Sequence, residues 1–290
     1  MSAVHLQSHS DSQAQLLKRI AESIRDGSLE LPSLPDIAIE VRMAIGKPDL
    51  DIRKLANLVQ QDPGLTAYLM KISHSVIYSR GNPVPNLQKA ISRLGLEATR
   101  ELTMGYALNA LFRINDPYTK RLLRDCWQRS VHTAALAHVI ARHCGFDPER
   151  AMLAGLLQDI GALPILSNLK DYPELREDGA AIARLLREFT GKINGLILHK
   201  WEFDHELTLT ALNRENWLRK TDKPADLTDL ILVARYHTYL GEGQIKGLPK
   251  LFAMSAFERL GLKEADPTLG LTFLKEAEDE VTALRETLRG

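Results

Sequence analysis

At 290 residues the chain is long enough for one large domain or two small ones, and for a sizeable core. A hydrophobic fraction of 44% and a charged fraction of 26% are those of a soluble globular protein and exclude a fibrous or disordered chain. Lys plus Arg and Asp plus Glu both number 37, so the basic excess with which duplex-binding domains neutralise phosphates is missing, and nucleic acid is not an expected partner.

In chain order, Met1–Ser10 is polar and lacks the apolar centre of a secretory leader, so residues 1–12 read as a loose tail and the protein as cytoplasmic. No apolar run approaches the roughly 20 residues that span a bilayer, and no membrane partner is expected. Short helices with proline-rich joints follow, at Leu31-Pro32, Leu34-Pro35 and Pro83-Val84-Pro85. Asp62-Pro63, Asp116-Pro117 and Asp147-Pro148 mark helix starts: the Asp side chain caps free N–H groups and the Pro supplies φ at the first helical position. Gly95, Gly145 and Gly261 are placed to stop helices. The stretch Arg113–Pro117 is the one candidate boundary. It divides an N-terminal helical lobe, 13–115, from a second lobe, 116–290, the two sharing one interface.

Apolar residues at i, i+3, i+4 and i+7 (Leu153, Leu156, Leu157, Ile160; Ile182, Leu185, Leu186, Phe189; Leu227, Leu230, Ile231, Ala234) each make one helical stripe. Alternating β-branched runs are scarce, so the expected fold is all-α with about a dozen helices and no sheet of more than two strands. At the end, Leu274, Ala277, Val281, Leu284 and Leu288 form a heptad-like seam too short for a coiled coil, expected to pack on the parent domain. Cys126 and Cys144 sit in apolar surroundings without Cys-x-x-Cys spacing and read as buried thiols of a reducing compartment.

His132, His138 and His143 share a helical stretch, but spacings of six and five place no two on one face, whereas a helical chelate needs i, i+4. No phosphate-binding glycine loop and no Gly-x-Ser-x-Gly nucleophile turn is present. The informative stretch is Ala154-Gly-Leu-Leu-Gln-Asp-Ile-Gly-Ala162. It resembles the Gly-Leu-Leu-His-Asp-Ile-Gly-Lys helix of HD-superfamily phosphohydrolases. In those enzymes the His and Asp bind a metal that activates water for attack on phosphate esters.

Other segments narrow the resemblance to the HDOD branch, the HD-related output domain. They are Leu31-Pro-Ser-Leu-Pro35, Asp62-Pro-Gly-Leu-Thr66, Ala90-Ile-Ser-Arg-Leu-Gly-Leu96, Trp127-Gln-Arg-Ser130, Gly195 with Trp201, and Arg235-Tyr-His237. They fall in matching order over residues 30–240. The resemblance implies a multi-helical HD-like bundle with an N-terminal helical lobe packed against it. It also implies which positions would hold metal: Arg129, Gln158, Asp159, Gly191 and His237. Relatives have His at the first of these, His-Asp at Gln158 and Asp159, His at Gly191, and often His-His where this chain has His237-Thr238.

Asp159 and His237 alone are too few ligands for a hydrolytic site. The expectation is therefore a non-enzymatic bacterial signalling module without cofactor, receiving its input from a signalling protein partner or from a small ligand in the cleft between the lobes. The rival reading is a metal-dependent phosphohydrolase acting on nucleotides or cyclic dinucleotides. Asp159 lies in an apolar stripe and must find a partner, so an Arg129–Asp159 salt bridge in a cleft bordered by His237 is expected to replace the metal.

Overall fold

The computed structural model describes residue 15 and residues 18–289, apart from 48–49, 76, 80, 82, 114–116, 173–175, 177, 245, 263–264 and 267–269. The expected tail and the Asp116 cap lie outside the described residues. The fold is all-α. A helix over residues 18–25 (α1) precedes α2 (Asp36–Ile45), α3 (Ile52–Val59), α4 (Pro63–Ser73), α5 (Leu87–Leu94) and α6 (Leu96–Leu111). The second part holds α7 (Pro117–Cys144), α8 (Pro148–Leu156), a 3-10 turn (Leu157–Asp159), α9 (Ala162–Asn168), α10 (Gly179–Lys200), α11 (His205–Leu212) and α12 (Leu227–Gly241). It ends with α13 (Ser255–Arg259), α14 (Thr272–Glu276) and α15 (Glu278–Leu288). The strands described are β1 (Ala265–Asp266) and β2 (Gly270–Leu271), an antiparallel pair of two residues each.

Local chemistry sets the ends of these elements. Asp51, Asp62, Asn86, Asp147, Asp178, Asp204 and Asp226 each accept a backbone N–H from the first turn that follows. Gly95, Gly145 and Gly261 take the left-handed backbone at helix ends that the sequence led us to expect. Gly64 answers a different need: a Cβ there would lie 2.2 Å from the Tyr106 hydroxyl, which donates to the capping Asp62. The Asp-Pro-Gly element is thus a packed joint between α4 and α6.

α7 and α8 lie at the centre. Gly155 lets them touch, since a Cβ on it would stand 2.5 Å from the Ala134 Cα. α6 packs on α8, and the Trp201 indole donates to the Pro32 carbonyl at 3.1 Å. Arg42 returns a bond to the Trp201 carbonyl at 2.7 Å. The distant motifs at Leu31–Pro35 and Trp201 are therefore two sides of one contact. Val281, Leu284 and Leu288 of α15 are buried and the helix lies along α7, as the seam predicted, although the chain breaks into α14 and α15 at Ala277.

One expectation needs correction. By length and composition Pro148–Asp171 is apolar enough to cross a membrane. It is so apolar because it is the core: it folds as α8, two 3-10 turns and α9, and 89% of its most apolar window is buried. Of the cysteines, Cys126 is buried but Cys144 only half so, and neither is in a disulfide.

The three α7 histidines point to three neighbours, as their spacing implies. His138 lies between Glu149 and Glu280, His143 stacks on Phe273 at 4.0 Å, and His132 sits under the C-terminal helix. Burial, with Arg285 and Arg289 nearby, pushes the His132 imidazole down to about 4. The unfolded chain binds a proton there near pH 6.5 while the folded chain refuses it, so this stability is present above pH 6.5 and is lost as pH falls toward 4. The urea midpoint is expected to fall between pH 7 and pH 5, and His132→Gln should flatten that slope. An unchanged slope in the variant would refute the assignment.

Candidate functional site

The chain tightens after α8 into the 3-10 turn Leu157–Asp159, which aims Asp159 at the space between α7, α10 and α12. Asn194 of α10 fixes that turn. Its side-chain amide donates to the Gln158 carbonyl at 2.8 Å and to the Ala211 carbonyl at 3.2 Å, and its oxygen accepts the Gly161 N–H at 2.7 Å. Gly161 permits this approach, because a Cβ there would lie 2.4 Å from the Thr190 carbonyl oxygen. Both glycines of the HD-like stretch thus serve packing, which a chain must keep whether or not it keeps the chemistry.

Asp159 is 2% exposed and its carboxylate is fully engaged. Arg235, itself 0% exposed, holds it with both terminal nitrogens at 3.0 Å. Arg214 donates to the same carboxylate, and its Nε donates to the Gln158 carbonyl at 3.0 Å. Ser130 adds a hydroxyl at 3.3 Å. Burial pushes the Asp159 carboxyl up, but Arg235 and Arg214 outweigh burial and hold it well below the usual carboxylate range. Glu215 supplies the second negative charge, bonding Arg214 at 2.9 Å and Arg235 at 3.2 Å, and accepting the Tyr239 hydroxyl at 2.7 Å. Two guanidiniums and two carboxylates form a closed, neutral cluster.

The other expected site residues do not join it. Arg129 does not bond Asp159: its Nε donates to Glu242 at 3.2 Å and its guanidinium lies over the Tyr239 ring at 5.3 Å. Successive helical residues point about 100° apart, and it is Ser130 that faces Asp159. His237 does not border the cleft, since it lies two residues beyond Arg235 and so on the opposite side of α12. Its Nε2 accepts the Leu271 N–H at 3.0 Å, which leaves the proton on Nδ1 for the Val233 carbonyl at 2.8 Å. Gln158 folds back, donating to the Ala154 carbonyl at 2.8 Å. Gly191 lets α10 approach α11, with a Cβ there 2.7 Å from the Leu212 carbonyl oxygen.

These residues do not fit a metal ion. The Asp159 and Glu215 carboxylates are both held by Arg214 and Arg235, and among the described residues no three His, Cys, Asp or Glu side chains converge. Sequence reasoning missed Arg214, Glu215, Asn194 and Tyr239, and quoted Arg235 only as part of a motif.

Above the cluster opens a cavity of about 810 Å³, lined in part by Arg129, Asp159, Lys192, Arg214, Trp217 and Tyr239. The described lining residues all fall between Leu122 and Leu248, so none comes from α1–α6. A separate groove of about 610 Å³ is bordered by Arg19, Leu31, Leu111 and Pro164 and bridged by Arg19 to Asp171 at 3.0 Å. Cys126 lines the first cavity, where burial and Asp159 push its thiol up to about 12 and favour the protonated form.

The all-α bundle is an HD-like helical fold, as its likeness to solved structures shows. Within that fold class the chain belongs to the HDOD domain family, which matches residues 31–216. It is similar to a solved structure from Shewanella amazonensis SB2B, provisionally named a metal-dependent phosphohydrolase, with 25% identity, 96% of this chain and 99% of that one covered, and a TM-score of 0.82. An HDOD domain protein of unknown function from Geobacter sulfurreducens shares the fold at 22% identity, 96% and 98% coverage and a TM-score of 0.68. An uncharacterized protein of Treponema pallidum (strain Nichols) is 26% identical over 162 residues, 54% of this chain but only 30% of that protein's length.

Proposed function

We propose that the protein is a non-catalytic signal-transduction module that acts by binding a signalling protein or a small ligand, within a response-regulator or second-messenger pathway. The observation that supports this reading is the pairing of Asp159 with Arg235 and Arg214, which sets two cations on the carboxylate whose counterpart binds metal in the enzymes the motif resembles. A guanidinium repels a divalent cation and stays charged at any pH at which the protein folds. Metal-assisted hydrolysis needs an open coordination position and a bound water of lowered pKa, and the cluster supports neither.

The similarity to the Shewanella amazonensis protein favours the second reading, a phosphohydrolase acting on nucleotides or cyclic dinucleotides. The two readings separate in one assay. The full chain with Mn²⁺ or Mg²⁺ is expected to release no product from nucleoside phosphates or cyclic dinucleotides above the buffer rate. Metal-dependent turnover that disappears in Asp159→Asn would overturn the non-catalytic reading.

A further inference from the structure

We propose that the cavity above the Asp159 cluster binds a small organic anion with a flat apolar body, and that Arg129 is its anchor. This deepens the binding reading above and rests on it. A position that would hold a cation in metal-binding relatives has become one that receives an anion.

Charge and shape lead to this assignment. Inside the cluster Arg214 and Arg235 are balanced by Asp159 and Glu215. On the rim Asp125 faces Arg121 at 3.9 Å. The described lining as a whole holds five cations, Arg129, Arg187, Lys192, Arg214 and Lys246, against four carboxylates, Asp125, Asp159, Glu188 and Glu215, an excess of one positive charge. The chain as a whole carries no net charge, so this local excess is a property of the cavity. Arg129 spends only its Nε on Glu242. Among the described residues its two terminal nitrogens donate to no protein group, while the cation–π contact with Tyr239 holds the guanidinium plane at the cavity wall. A fixed fork with two free N–H edges matches a carboxylate or a phosphate.

The lining is also apolar and aromatic, from Ile182, Leu186, Leu212 and Leu248 to Trp217, which meets Tyr239 edge-on at 5.9 Å. The volume of about 810 Å³ lies in the range of small-molecule sites. A bare inorganic ion would leave the apolar lining wet, and a neutral aromatic would leave the positive excess unanswered.

The test is calorimetric titration of the full chain with phenyl phosphate, with phthalate and with phenol as the neutral control. Binding of either anion without binding of phenol, weakening as salt rises, supports the assignment, and the pair shows whether phosphate or carboxylate is preferred. Arg129→Gln is expected to weaken the bound anion at least tenfold, and Arg129→Lys by less. If Arg129→Gln does not fold, the double variant Lys192→Gln/Lys246→Gln decides, with a several-fold loss expected. Phenol binding as well as the anions, no anion binding at millimolar concentration, or unchanged affinity in the folded variants would each overturn the proposal. Release of phenol from phenyl phosphate is a different result: it would overturn the non-catalytic reading while leaving the anion site standing.

Discussion

Asp159→Asn is expected to cost about 3–5 kcal/mol of folding stability, a large share of the roughly 5–15 kcal/mol that holds a typical domain together. The substitution changes no volume. It removes one charge from a buried cluster of four and leaves Arg214 and Arg235 facing Glu215 alone. Neither arginine can escape to solvent, at 5% and 0% exposure, and neither can lose its proton. Adding Arg235→Met should recover part of the loss, because Arg214 and Glu215 then form a balanced pair. Arg129→Gln should cost about 1 kcal/mol or less, since its partner Glu242 is near the surface. Urea melts of Asp159→Asn, Arg235→Met, their double variant and Arg129→Gln check this order. A double variant no more stable than the worse single, or an Arg129→Gln as damaging as Asp159→Asn, would contradict the cluster.

Gly155→Ala should be the second severe change, although it adds one methyl group. The atoms its Cβ would strike are the Ala134 Cα at 2.5 Å and the Ala134 N at 2.6 Å, backbone of a central helix that cannot swing aside. α7 and α8 must part, and overpacking of this kind costs about 1–3 kcal/mol or more. Ala134→Gly should fail to rescue it, because the clash is with main chain. Gly195→Ala is the control: its Cβ would meet only the flexible end of Leu212 at 3.4 Å, and helix propensity favours Ala by about 1 kcal/mol. Thermal melts in which Gly155→Ala matches wild type, or Gly195→Ala is the worse of the two, would overturn this account of the glycines.

Much of the fold was legible because it is written locally. Apolar stripes at helical spacing, Asp residues before Pro and glycines after the last apolar position each act within a turn or two, and the described helices start and stop where these signals lie. The need of Asp159 for a buried cation was also legible, from an acid within an apolar stripe. Which cation answers it was not. Arg214 and Arg235 lie far along the chain and reach Asp159 only once the α11–α12 connection and α12 pack over the 3-10 turn. Arg129 was the nearer candidate in the motif, but its helical phase gives that direction to Ser130.

A usable signal did exist. Leu227–Thr238 of α12 is buried throughout, so an Arg in its midst required a buried counter-ion, and Tyr239 at i+4 shares its face. In His237 the sequence signal was the wrong guide, since a position two residues from Arg235 must face away from what Arg235 faces.

The central claim is that positive charge, held by Asp159, stands where a metal would bind. Calorimetric titration of the purified full chain with Mn²⁺, with the melting temperature followed alongside, tests it most directly. A metal that bound the native state would give a saturable heat and raise the melting temperature with concentration. We predict no saturable heat at one ion per chain and no rise in melting temperature. Stoichiometric Mn²⁺ binding that stabilises the chain and is lost in Asp159→Asn would contradict the account.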